Sequence, residues 1–352
     1  MENKLPNVTD HSHELFDEQN ERMSEKIEII TITDTHNDYE AIIRNLRIHD
    51  IIDENGEWKE GVKNIHVIHT GDVVNKKNPD KKSLEYIFHL KATAPKTCSV
   101  EILAGNHEMD YLMGKTGPAE EGSERKIIEG MSLLSSAGPV LFLHGYPTRK
   151  LLRWIESYTI TDGYSVEEAI AEINRQFSEA LEESTAGYNN KLSHFLFGDT
   201  EEKKKSGAEK ENKKLKLENR KIIEDDVDTS TELPNGRKLK PLFRKTLPID
   251  YYQKHGKEVS ELLSTLGFDV VIHGHVRSPR GVQSVGEFKE FLPNVTLISN
   301  DVAVSDFKST KVGEPTAGNK WGSTKIIMEN NSEGKTIINE MTFVNKDTVE
   351  QV

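Results

Sequence analysis

"IHVIHTGDVVN", Ile65 to Asn75, carries an apolar, partly β-branched run into Thr70, Gly71 and Asp72. Ile65–His69 reads as a buried strand. Gly71 permits a sharp turn, and the turn delivers the Asp72 carboxylate to the mouth of that strand. A single Gly-Asp is common in turns and decides nothing alone. The fold is decided by how often the arrangement recurs.

It recurs along the chain. "KIEIITIT" (Lys26–Thr33) reads as a first strand and ends at Asp34-Thr35-His36. Tyr39, Ile42, Ile43 and Leu46 then follow helical spacing. A second helix is expected near Lys81–Lys91. "SVEILA" (Ser99–Ala104) is a third strand and ends at Gly105-Asn106-His107-Glu108. "PVLFLH" (Pro139–His144) is a fourth and ends at His144-Gly145. "DVVIHGH" (Asp269–His275) is a fifth and "NVTLISND" (Asn294–Asp301) a sixth. The C-terminal segment predicts a hairpin turning near Asn331–Gly334. Strands alternating with helices imply an α/β fold with covered sheet faces.

The bulk properties narrow the class. The chain has 352 residues, 35% of them hydrophobic and 30% charged, with a net charge of −13. Such a charge argues against nucleic acid and anionic membrane as partners. No basic stripe with interleaved aromatics is visible. The single cysteine, Cys98, excludes an intrachain disulfide and reads as a small buried hydrophobe. No apolar run is long enough to span a membrane. Residues 1–24 are polar, lack the apolar core of a secretory signal, and are expected to be a disordered tail. The location expected from these features is cytoplasmic.

Residues 25–350 read as one catalytic domain interrupted at about 148–245. Within the interruption, Ser165 and Glu168 form a capping box ahead of a helix of about five turns carried by Val166, Ala169, Ile170, Ile173, Phe177, Ala180 and Leu181. A highly charged stretch follows, with residues 200–230 read as a solvated excursion or an arm that docks a partner.

Asp34 and His36, Asp72, Asn106 and His107, His144, and His275 thus sit at five strand ends. Open α/β sheets bind ligands outside the carboxyl ends of their strands. Singly, Asp34 could cap a helix, Asn106 could fill a turn and His144 could be a core imidazole. Together they form a donor set of imidazole, carboxylate and amide that suits Mn, Fe or Zn. A carboxylate can bridge two cations, and Asp72 is the single candidate on its strand end. Two cations about 3.5–4 Å apart can clamp an in-line phosphoryl displacement.

The motifs D-T-H, G-D-V-V-N, G-N-H-E, H-G and G-H resemble the calcineurin-like metallophosphoesterases. Within these, G-N-H-E and H-G are similar to the phosphoprotein phosphatase branch in its bacterial Shewanella-like form. The large helical and charged insertion resembles the Wip effector phosphatases of Legionella, which would imply delivery into a host cell. The resemblance implies a four-layer αββα sandwich and two metal ions. Asp34 and His36 would hold the first metal, Asp72 would bridge, and Asn106, His144 and His275 would hold the second, with Asn106 also contacting the substrate phosphate. His107 would be the general acid, with Glu108 orienting its loop. The activity implied is hydrolysis of phospho-Ser/Thr or phospho-Tyr on a protein by direct attack of metal-bound hydroxide. Small phosphates such as dinucleoside polyphosphates are the alternative substrates, and a non-catalytic docking module is a third reading.

The closing motif bears on the branch, and two departures, at Asn75 and Lys76, accompany the resemblance. The closing motif is Gly274-His275-Val276-Arg277, without the second His of related nucleases, which favours the phosphoprotein phosphatase branch. The Asp that normally supports the catalytic His is replaced by Asn75, an amide that stabilises an imidazolium less. The phosphate-gripping Arg is replaced by Lys76, a point charge where Arg offers a fork. A second phosphate-binding Arg is expected, with Arg244 as first candidate beside Arg149 and Arg277. His273 is read as packing or as a support behind the ligands.

Overall fold

Strands buried on both faces build the layers. The computed structural model describes residues 26–74, 81–112, 129–185, 249–275, 290–299, 322–331 and 333–345. Along β1 (Ile27–Ile32), Ile29 belongs to one apolar cluster, while Ile30 and Ile32 belong to another. This is the period of two that puts successive side chains on opposite sheet faces. The same split recurs in β2 (Ile65–His69) and β3 (Ser99–Leu103): Ile68 and Leu103 share the cluster of Ile29, and Val67 and Ile102 share that of Ile30.

The cluster of Ile29 also takes Val140 and Phe142 from β6 (Val140–Leu143), Val270 and Ile272 from β7 (Val270–His273), and Ile298 from β8 (Thr296–Ser299). These strands belong to two sheets, so the cluster is the core between them. The six-stranded sheet has the order β10-β9-β1-β2-β3-β4, with β4 at Met131–Ser132 and a C-terminal hairpin of β9 (Gly322–Asn330) and β10 (Thr336–Asn345). The four-stranded sheet has the order β5-β6-β7-β8, with β5 at Leu134–Ala137. Pairing is parallel from β1 through β4 and from β6 through β8, and antiparallel at β5 and in the hairpin.

Helices cover both outer faces. On the first sheet, α1 (Tyr39–Ile48) and α2 (Lys81–Ala92) bring Ile42, Leu46, Leu84 and Ile87 against Ile30 and Val67. On the second, α4 (Arg149–Thr161), α5 (Val166–Thr185) and α6 (Ile249–Thr265) bring Leu152, Ile155, Ile173, Phe177, Tyr252 and Leu263 against Leu141 and Val271. The short helix α3 (Asn106–Leu112) follows β3 in the chain, and its Met109 joins the cluster of Ile30. The α/β sandwich expected from the sequence is therefore the architecture observed.

Residues 149–185, inside the span read as an insertion, are built into the second helical layer. Ser165 and Glu168 bond reciprocally at the start of α5, at 2.7 and 3.1 Å. Farther along, Asn174 accepts the Leu133 and Leu134 N–H groups and donates to Leu134 O. That amide seals the corner where the chain passes from β4 to β5. The N-terminal tail and residues 200–230 lie outside the described residues. Among the described residues, no helix is long and apolar enough to cross a membrane.

Candidate active site

The strand-end loops are bent by residues in left-handed backbone. Asp34, His36, Asn37, Asp72 and His275 have φ of 49°, 45°, 71°, 55° and 67°. Asn, Asp and His tolerate this region better than other side chains, yet each position costs about 1–3 kcal/mol and persists only where its surroundings enforce it. Here the loops enforce one another. Asp34 N–H donates to Gly71 O at 3.0 Å, His36 N–H to Asp72 O at 3.0 Å, and Asn37 N–H to Val73 O at 2.8 Å. A Cβ on Gly71 would stand 2.6 Å from His144 Nδ1 and 2.9 Å from Gly105 Cα, so only glycine lets these three loops meet.

Glu108 locks the centre. Its buried carboxylate accepts N–H groups from Gly105 at 2.8 Å, Asp72 at 2.9 Å and Val74 at 2.9 Å. Burial raises its pKa, and these backbone donors oppose the rise. Asp34 performs a similar service: its Oδ2 accepts from Thr33 Oγ1 at 2.5 Å and from His275 N–H at 2.8 Å. The first and last of the expected ligands are thereby tied together.

Two groups of metal-binding side chains result, and Asp72 belongs to both. His36, Asp72 and His107 offer ligand atoms all within 4.8 Å of one another, as do Asp72, His144 and His275. Asp34 Oδ1 adds to the first group at 3.6 Å from His36 Nε2. Asn106 Oδ1 adds to the second at 3.2 Å from His144 Nε2. The structure therefore brings together Asp34, His36, Asp72, Asn106, His107, His144 and His275.

Tautomers follow from the partners. His144 Nδ1 lies 2.8 Å from Thr70 O, which can only accept, so Nδ1 carries the hydrogen. Burial, reinforced by His275, holds His144 well below its ordinary pKa and therefore neutral. Its Nε2 lone pair faces Asn106 Oδ1 and, at 3.4 Å, Asp72 Oδ1. Three converging lone pairs are the donor set of a cation, and a carbonyl fixing the far ring nitrogen is the usual outer support of a ligand histidine. His107 has the same arrangement, with Nδ1 donating to Val74 O at 3.2 Å and Nε2 3.7 Å from Asp72 Oδ2. At 12% exposure, against 1% for His144, its ring is nearer solvent.

Asn75, the expected partner of His107, lies outside the described residues, as do Lys76, Arg244 and Arg277. Arg149 pairs with Glu258 on α6 at 2.9 Å. His273 packs its ring 4.4 Å from Tyr146 and donates to Gly274 O. Three supports of the site are not singled out by the sequence. Thr70 and Val74 act through their carbonyls, which side-chain identity does not show. His69 acts through its ring. Its inward parity with Ile65 and Val67 at the end of an apolar strand was the available signal.

Two His/Asp groups that share one carboxylate at the strand ends of a two-sheet sandwich could hold a pair of cations. The chain belongs to the calcineurin-like phosphoesterase family, whose model matches residues 27–279, and the family is dinuclear-metal dependent. Among solved structures, it is similar to a cold-active protein-tyrosine phosphatase of a psychrophilic Shewanella species, at 15% identity and TM-score 0.49, over 89% of this chain and 80% of that one. It is also similar to a protein serine/threonine phosphatase from Saccharomyces cerevisiae, at 14% identity and TM-score 0.40, over 90% and 79%. A candidate diadenosine tetraphosphatase matches at 13% identity and TM-score 0.35, over 97% and 96%. No curated protein matches the sequence.

Proposed function

We propose that the chain is a protein phosphatase of the phosphoprotein phosphatase branch, hydrolysing phosphomonoesters on Ser/Thr or Tyr side chains. The observation that carries the reading is the membership of Asp72 in both His/Asp groups. Asp34, His36 and Asp72 would hold one cation, and Asp72, Asn106, His144 and His275 the other. When bound, such a pair supplies Lewis acidity toward the phosphoryl oxygens and a nucleophile at neutral pH.

The chain's own residues do the rest. Thr70 O and Val74 O orient the His144 and His107 rings. Glu108 holds the turn that carries Asp72. His107, the more exposed imidazole, would serve as the acid in its imidazolium form, with Nδ1–H held by Val74 O and the second proton passing from Nε2 to the leaving oxygen. Lys76 and Arg244 are the side chains we assign to the substrate phosphate, and Asn75 the one we assign beside His107, all three on sequence grounds. The single His of the closing motif supports the branch assignment. The charged stretch of residues 200–230 is assigned, on sequence grounds, to docking a protein partner.

The test is turnover of phospho-Ser, phospho-Thr and phospho-Tyr peptides by Mn²⁺-loaded protein, with diadenosine tetraphosphate alongside. Hydrolysis of at least one phosphopeptide class supports the proposal. Rapid cleavage of the dinucleotide with inert peptides would replace it with a small-molecule activity.

A further inference from the structure

His69 ends β2 in the middle of the larger sheet, in register with Ile32 on one side and Ile102 on the other. Its ring is fully buried. A buried imidazole is costly unless both nitrogens are satisfied. Both are, and the partners lie in two different ligand-bearing loops.

The Gly71 N–H donates to Nδ1 at 3.2 Å, and Nε2 lies 3.1 Å from Thr35 Oγ1. An amide N–H can only donate, so Nδ1 presents its lone pair and the ring hydrogen sits on Nε2, donating to Thr35. This tautomer is the reverse of that in His107 and His144, which carry hydrogen on Nδ1. Burial alone holds the His69 pKa down to about 3, in keeping with a ring that stays neutral. Thr35 stands between Asp34 and His36, and Gly71 immediately precedes Asp72. Asp34, His36 and Asp72 occupy left-handed backbone, which has to be imposed from outside.

We propose that His69 is a positioning residue, a neutral brace that sets the distance between the Asp34/His36 turn and the Asp72 turn and thereby the spacing of the two cation pockets. The inference rests on the dinuclear reading above. It assigns His69 no contact with metal or substrate. His69→Phe fills the volume and removes both bonds. Thr35→Val removes the acceptor alone with almost no change of shape. His69→Gln keeps a donor able to reach Thr35.

The experiment is Mn²⁺ titration of metal-stripped protein by calorimetry, with the electron paramagnetic resonance spectrum of the two-Mn²⁺ form. The wild-type protein should bind two ions and give an exchange-coupled spectrum, which reports ion spacing. His69→Phe and Thr35→Val should weaken the second ion by about 10- to 100-fold, the range seen for outer supports of ligands, and lose the coupled signal. His69→Gln should restore part of it. If His69→Phe fails to fold, Thr35→Val decides. Folded Thr35→Val with wild-type affinity and an unchanged coupled spectrum overturns the brace. Wild-type protein that binds fewer than two ions overturns the dinuclear reading itself, and the brace with it.

Discussion

Asp72 Oδ1 and His144 Nε2 stand 3.4 Å apart, and the ring hydrogen of His144 is committed to Thr70 O on the opposite nitrogen. Two lone pairs facing each other in a buried site repel unless a cation lies between them. Asp72 is shared by both groups, so weakening it should affect both. Asp72→Asn keeps the shape and removes the charge. Calorimetric Mn²⁺ binding should fall from two ions to one or none. Turnover of p-nitrophenyl phosphate should drop by more than about 100-fold, beyond the usual cost of losing an outer support. Two ions bound at wild-type affinity would contradict the bridging role.

His107 lies in one of the metal-binding groups and is also the proposed proton donor, and one substitution separates the roles. His107→Asn should leave two Mn²⁺ ions bound and lower turnover of a phospho-Ser peptide by about 10²–10⁴-fold, the usual contribution of a general acid. The loss on p-nitrophenyl phosphate should be much smaller, because p-nitrophenolate departs without needing a proton. A missing ion, or equal losses on both substrates, would make His107 a ligand.

The gathering of these side chains was readable because strand ends are readable. Each apolar run stopped at a polar cluster, and an α/β sheet sends those ends to one side. The boundaries were less readable. The sequence reads the fifth and sixth strands as Asp269–His275 and Asn294–Asp301; among the described residues, the fifth forms over Val270–His273 and the sixth begins at Thr296 rather than Asn294. His275 turns out of the strand into left-handed backbone, a conformation that side-chain type does not announce. β4 and β5 have two and four residues and offer too few positions for a period. α6 was hidden by Gly256, a helix-weakening residue. The structure explains it: a Cβ there would lie 2.6 Å from Phe291 O. The supports of the site were least visible, since Thr70 and Val74 act through backbone carbonyls.

Glu108 offers a stability test independent of catalysis. Its two oxygens accept three backbone N–H groups in full burial. Glu108→Gln keeps the volume, halves the acceptor atoms and points an amide donor at another donor. Buried hydrogen bonds to a charged group are worth about 1.5–3 kcal/mol, and an unsatisfied buried donor costs about 1–3 kcal/mol more. We expect a loss of about 2–4 kcal/mol in urea unfolding, with weaker Mn²⁺ binding because the Asp72 turn is released. A change under about 0.5 kcal/mol, the size of an ordinary surface substitution, would mean that the turn is held by other contacts.

His49, at the far end of α1, gives the pH dependence. Its Nε2 lies 2.7 Å from Ser323 Oγ. Burial, then the nearby Lys325 charge, lowers its pKa to about 4, with Glu28 opposing. The unfolded chain takes up this proton near pH 6.5 and the folded chain only near 4. Between those values the unfolded state therefore binds more protons, and stability falls as the pH falls. The contribution is complete above pH 6.5, erodes through the window down to about 4, and is gone below it. At about 1.4 kcal/mol per pH unit, it amounts to about 3 kcal/mol. His49→Gln keeps a hydrogen-bonding group beside Ser323 and does not titrate. In urea unfolding of metal-stripped protein, its stability relative to wild type should improve by about 2–3 kcal/mol between pH 7 and pH 4.5. A difference that stays constant over that range would show that His49 takes up its proton equally in both states.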